Sequence, residues 1–83
     1  LPIRKQYGSF HIIAGSFRLK ENSLKMISQL KEKGFIEARK VGVNKFGLLQ
    51  VAYNSYDTVE EARLALSEIR TKEDLNAWLL IKN

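Results

Sequence analysis

Few side chains in this 83-residue chain are suited to acid–base or covalent chemistry, and their spacing decides how they are read. The single histidine, His11, stands among Phe10, Ile12 and Ile13 with no Asp, Glu or Ser at a spacing that completes a relay, so it reads as an ordinary half-buried strand residue. Asp57, Glu60 and Glu61 are close neighbours, but they open a helix, where the backbone dipoles favour negative charge. That position accounts for them without a paired-carboxylate hydrolase. Gly42 and Gly47 lie between two strands and not ahead of a helix, which does not suit a phosphate cradle. The chain has no cysteine, so disulfides, thiolate metal clusters and thiol nucleophiles are excluded. No catalytic residue, metal or cofactor is expected, and the reading is of a binding module.

The elements that position these residues are written twice. His11-Ile12-Ile13-Ala14-Gly15-Ser16-Phe17 is answered by Gln50-Val51-Ala52-Tyr53-Asn54-Ser55-Tyr56 at the offset of 39 residues that separates Ser16 from Ser55. Ser23, Ile27 and Leu30 map by the same offset onto Ala62, Leu66 and Ile69, two helical stripes. Alternation predicts a first strand over Tyr7 to Ser16, with Phe10, Ile12 and Ala14 on one face and His11 and Ile13 on the other. A helix is predicted from Asn22, its N-cap, to Lys33, with Leu24 and Met26 widening the stripe and Gly34 as the left-handed stop. Phe35 to Val41 reads as a second strand, 42–47 as a turn, and Leu48 to Asn54 as a third strand. Thr58-Val59-Glu60-Glu61 is a capping box opening the second helix, and after a connection over Lys72 to Asn76 the last strand is Ala77 to Ile81.

The order β-α-β-β-α-β with right-handed crossovers predicts an α+β, ferredoxin-like fold: a four-stranded antiparallel sheet with two helices on one face. The other sheet face then carries His11, Ile13, Leu48, Gln50, Ala52, Trp78 and Leu80, rimmed by Ser16. An apolar patch of that kind, bearing one aromatic, marks an interaction surface. A homodimer through this face is one use for it.

Size and charge narrow the choice only a little. A chain this short hides roughly 60–65% of the surface its unfolded form exposes, enough for one thin core and no enclosed active-site cavity. Lys and Arg number 14 against 9 Asp and Glu, a net charge of +5. Lys20, Lys25, Lys31, Lys33, Arg63, Arg70 and Lys72 fall in or beside the predicted helices, alternating with acids as solvated faces do. No stretch is long and apolar enough to span a membrane, so no direct membrane insertion is expected of this segment. Residues 1–6 read as a linker end and 7–83 as the domain, and a first residue Leu1 in place of Met suggests a domain excised from a longer protein.

A single-stranded nucleic acid is one ligand class for such a sheet. Recognition there needs aromatics stacked on the central strands, whereas the third strand offers Leu48, Gln50 and Ala52, and Tyr53 has core parity; no nucleic-acid partner is expected. A polysaccharide is the other. Phe10 to Phe17, Asn22-Ser23, Leu30-x-x-x-Gly34-Phe35, Leu49-Gln50-Val51, Glu60-Glu61-Ala62 and Ala77-Trp78-Leu79 together resemble a SPOR (sporulation-related repeat) domain over about Tyr7 to Ile81. The resemblance implies a bacterial envelope module, periplasmic or facing the cell wall, that binds peptidoglycan glycan strands stripped of their stem peptides and takes its parent protein to the division septum. Carried over by position, it implies glycan contacts from His11, Ile13, Gly15, Ser16, Phe17, Leu48, Gln50 and Trp78. Many members have Gln where Ile13 stands, which leaves the polar contact to His11 or Gln50, and many have Gly-Pro where Asn54-Ser55 stands. Neutral hydrogen-bonding groups beside an indole suit amino sugars, and a narrow groove between the hairpin and the Ser16 loop would turn away a peptide-bearing lactyl group.

Overall fold

A computed structural model of the chain describes residues 8–81. The linker expected over 1–6, and Tyr7, lie outside the described residues. The element order is β1 (Phe10–Phe17), α1 (Lys20–Glu32), β2 (Arg39–Val43), β3 (Leu49–Tyr56), α2 (Val59–Lys72) and β4 (Trp78–Ile81). The strands form one antiparallel sheet in the order β2-β3-β1-β4, the ferredoxin-like arrangement expected. Ile12, Val51, Tyr53 and Ala77 from the sheet side and Leu30, Ala38 and Ile69 from the helices and connections form the buried core. Met26, Ile27, Ala65 and Leu66 complete the helical stripes. Leu24 is not part of them: it stands 53% exposed.

The repeat governs the backbone in detail. Both ends of β1 and β3 differ by 39 residues, and so do the first residues of β2 and β4. The two central strands pair with two irregularities, between Ile12 and Ile13 and between Ile13 and Gly15. Ile12 lies opposite Asn54 and Ile13 opposite Ala52, so Tyr53 is the extra residue of one bulge; Gly15 lies opposite Val51, so Ala14 is the extra residue of the other. Ala14 and Tyr53 are themselves repeat mates. An extra residue advances the side-chain alternation by one, and that changes which face the following residues take.

Among the departures from the sequence expectation, two element starts and the helix cap bear on the fold. Helix α1 starts at Lys20, with Leu19 as an N-cap that makes no side-chain hydrogen bond, so Asn22 is an exposed helical residue and not the cap. Strand β2 starts at Arg39 and not Phe35, because Gly34 (φ 105°) ends the helix in a Schellman turn whose bonds are Phe35 N to Leu30 O and Gly34 N to Lys31 O. A further turn, Ala38 N to Phe35 O at 3.0 Å, then turns the Phe35 ring into the core against Tyr53. The capping box also closes differently: Thr58 Oγ1 accepts from Glu61 N at 3.2 Å, as expected, while its hydroxyl donates to the Glu61 carboxylate at 3.0 Å.

Candidate functional site

Register arranges the sheet face opposite the core in three rows. Gly42, Gln50 and Ser16 form the first, crossing β2, β3 and β1. Arg39, Ala52, Ile13 and Trp78 form the second, from one edge strand to the other. Ser55, His11 and Leu80 form the third. Leu48 borders the first row, held by the hairpin in which Asn44 Oδ1 accepts from the backbone N–H groups of Phe46 and Leu48, at 2.9 and 3.0 Å. Gly47, at φ 79°, makes that tight return possible.

The eight residues expected to touch a ligand divide into three groups. Ser16 is exposed, Trp78 is 39% exposed and Leu48 is half-buried, so these offer accessible surface. His11, expected to be half-buried, and Ile13 and Gln50, expected on the open face, are all buried. They lie on the two central strands, where neighbours on both sides flank them, and so they form the floor. Gly15 and Phe17 belong to the other side of the sheet. Gly15 pairs with the core residue Val51, Phe17 packs against the core, and a Cβ on Gly15 would meet Phe17 ring carbons at 3.1 and 3.2 Å. The bulge at Ala14 separates Ser16 from this pair and returns it to the face of Gln50.

Two polar residues of the face were not anticipated. Ser55 Oγ lies 2.5 Å from His11 Nδ1 and accepts a hydrogen bond from Arg39 Nη2, also at 2.5 Å; Arg39 Nη1 donates to Glu37 O at 3.0 Å. His11 thus has a serine partner, 44 positions away in sequence, which no local spacing could announce. A signal did exist in the repeat, since the 39-residue offset carries Ser16 to Ser55. The contact is not a nucleophile relay. The guanidinium already occupies the serine oxygen, and the imidazole is buried. Among the described residues no group of three or more His, Asp or Glu could hold a metal ion.

A cavity of about 180 Å³ lies on the helix side, lined by Phe35, Ile36, Tyr53, Tyr56, Ala65 and Glu68 among others. Burial, reinforced by the nearby Asp74 carboxylate, pushes the Tyr53 phenol from 10.0 up to about 12. Burial also raises Tyr56. None of the residues expected to bind a ligand lines this cavity.

The family model described as SPOR domain matches residues 6–81, nearly the whole chain. The chain belongs to the SPOR domain family. SPOR domains are peptidoglycan-binding modules of bacterial cell-envelope proteins, and they are binding domains, generally without catalytic activity. No curated protein and no solved structure gave a match. No helix of this SPOR domain, over the described residues, is long and apolar enough to cross a membrane.

Proposed function

We propose that this SPOR domain binds peptidoglycan glycan strands stripped of stem peptides, on the sheet face opposite the helices, and so directs the protein that carries it to the cell wall at the division septum. The observation that carries the reading is the grouping of exposed Ser16, part-exposed Trp78 and half-buried Leu48 around a floor of Ile13 and Gln50. The indole suits the apolar face of a pyranose ring, and the hydroxyl of Ser16 suits the sugar hydroxyls and acetamido groups. Rejection of peptide-bearing strands by shape belongs to the same reading: the hairpin held by Asn44 borders the first row, where a peptide on the lactyl group would meet it.

Cosedimentation with intact and amidase-treated sacculi tests this reading. The domain is expected to pellet with the treated sacculi in preference to the intact ones. Trp78→Ala should weaken that retention about tenfold, the loss of one aromatic contact of ~1.4 kcal/mol, with the circular dichroism spectrum unchanged. Equal retention on both materials, or full retention by both Trp78→Ala and Ser16→Ala, contradicts it. A concentration-dependent mass through the sheet face would favour the homodimer in its place.

A further inference from the structure

The proposed glycan surface has a mate generated by the repeat. Offset by 39 residues, Ser16 becomes Ser55, Trp78 becomes Arg39, Ile13 becomes Ala52, and Gln50 becomes His11. The pairing is symmetric as well as the sequence: Ser16 lies opposite Gln50 as Ser55 lies opposite His11, and Trp78 lies opposite Ile13 as Arg39 lies opposite Ala52. Both serines follow repeat-mate bulges, at Ala14 and Tyr53, that turn them to the same face. The sheet therefore presents two related corners on one surface.

We infer that the Arg39–Ser55–His11 corner is a second subsite, and that it takes the carboxylate of the lactyl group left when the stem peptide is removed. This inference rests on the glycan reading above. Its chemistry comes from the corner itself. One corner offers an indole and neutral hydrogen-bonding groups; the other offers a guanidinium, permanently charged and shaped to receive a carboxylate on two N–H groups. The guanidinium is positioned in advance, which lowers the ordering cost of binding. Glu37 O holds Nη1, and Ser55 Oγ holds Nη2. Ser55 Oγ also lies 2.5 Å from Nδ1 of the buried His11, which ties the serine to the sheet floor. Arg39 is half-buried, in a setting that screens its charge less than bulk water does.

Arg39 and Trp78 stand on the two edge strands, three strand spacings or about 14 Å apart. That separation lets a single glycan strand lay a ring against Trp78 and reach Arg39 with the lactyl carboxylate of another residue. Peptide-bearing strands carry a neutral amide at that atom. The face then selects stripped strands by charge as well as by shape, because the amide offers no anion to the fork.

The test uses three materials: amidase-stripped glycan strands, the same strands with their carboxylates converted to carboxamides, and intact peptide-bearing strands. The wild-type domain is expected to bind the carboxylate form about tenfold more tightly than the carboxamide form. Arg39→Gln should bind both forms alike, at the carboxamide level, whereas Arg39→Lys, a point charge without the fork, should keep part of the preference. Ser55→Ala, which loosens the guanidinium and leaves its charge, should reduce the preference without abolishing it. If Arg39→Gln fails to fold, the preference in Arg39→Lys and Ser55→Ala decides. Equal binding of the two stripped forms by the wild type, or an unchanged preference in the variants, overturns the inference and leaves the glycan reading standing. Failure of the wild type to bind either stripped form overturns both.

Discussion

At the scale of single residues, two positions make the packing of the domain measurable. Gly8 lies against the backbone where β3 ends, and a Cβ there would meet Tyr56 O at 1.8 Å and Asp57 N at 2.5 Å. Backbone atoms cannot yield as a flexible side chain can, so Gly8→Ala is expected to cost at least about 1–3 kcal/mol, read as a lower urea midpoint with an unchanged slope. Tyr53 gives a pH dependence of known sign. Its phenol ionises near 10.0 when unfolded and near about 12 when folded, so the contribution it makes is whole below pH 10 and is lost as pH rises towards 12. Tyr53→Phe, which also removes the 3.4 Å bond to Asp74, should flatten the fall in stability across that window, as followed by thermal unfolding at stepped pH. A fall as steep in Tyr53→Phe as in the wild type would contradict the assignment.

At the scale of elements, the helix starts separate what was legible in the sequence from what was not. The second helix was readable because its cap is a side-chain motif: Thr58 receives the Glu61 N–H. The first was not, because Leu19 caps it with backbone alone and buried Ser23 bonds back to Lys20 O at 2.6 Å. Thr58→Ala should therefore lower stability by about 1 kcal/mol, whereas Asn22→Ala, at an exposed helical position, should change it little; both are read by chemical denaturation. A large loss in Asn22→Ala and none in Thr58→Ala would reverse the account. Strand alternation was likewise legible up to the bulges and misleading beyond them. Strict period-two counting assigns Ser55 to the helix side with Tyr53, and the extra residue in β3 is what turns it to His11. The same counting puts Phe17 on the open face with His11 and Ile13, whereas its ring packs against the core.

At the scale of the whole molecule, the duplication accounts for the architecture and for the binding face together. Two β-α-β halves sharing the central pair β1 and β3 create one continuous sheet, and repeat-mate bulges give its uncovered side two serine corners of different chemistry. The fold was legible because periodicity and topology are local or pairwise properties of the sequence. The arrangement of the face was less so, because Arg39, Ser55 and His11 meet only through long-range register. The central claim, that stripped glycan occupies this face, is most directly tested by titrating the isotopically labelled domain with amidase-stripped strands and following amide and indole N–H shifts. The account predicts saturable changes at Ser16, Gln50, Ala52 and the Trp78 indole, with little movement at Phe35, Ile36 and Glu68 around the helix-side cavity. Changes confined to that cavity, or none at the sheet face at saturating ligand, would contradict it.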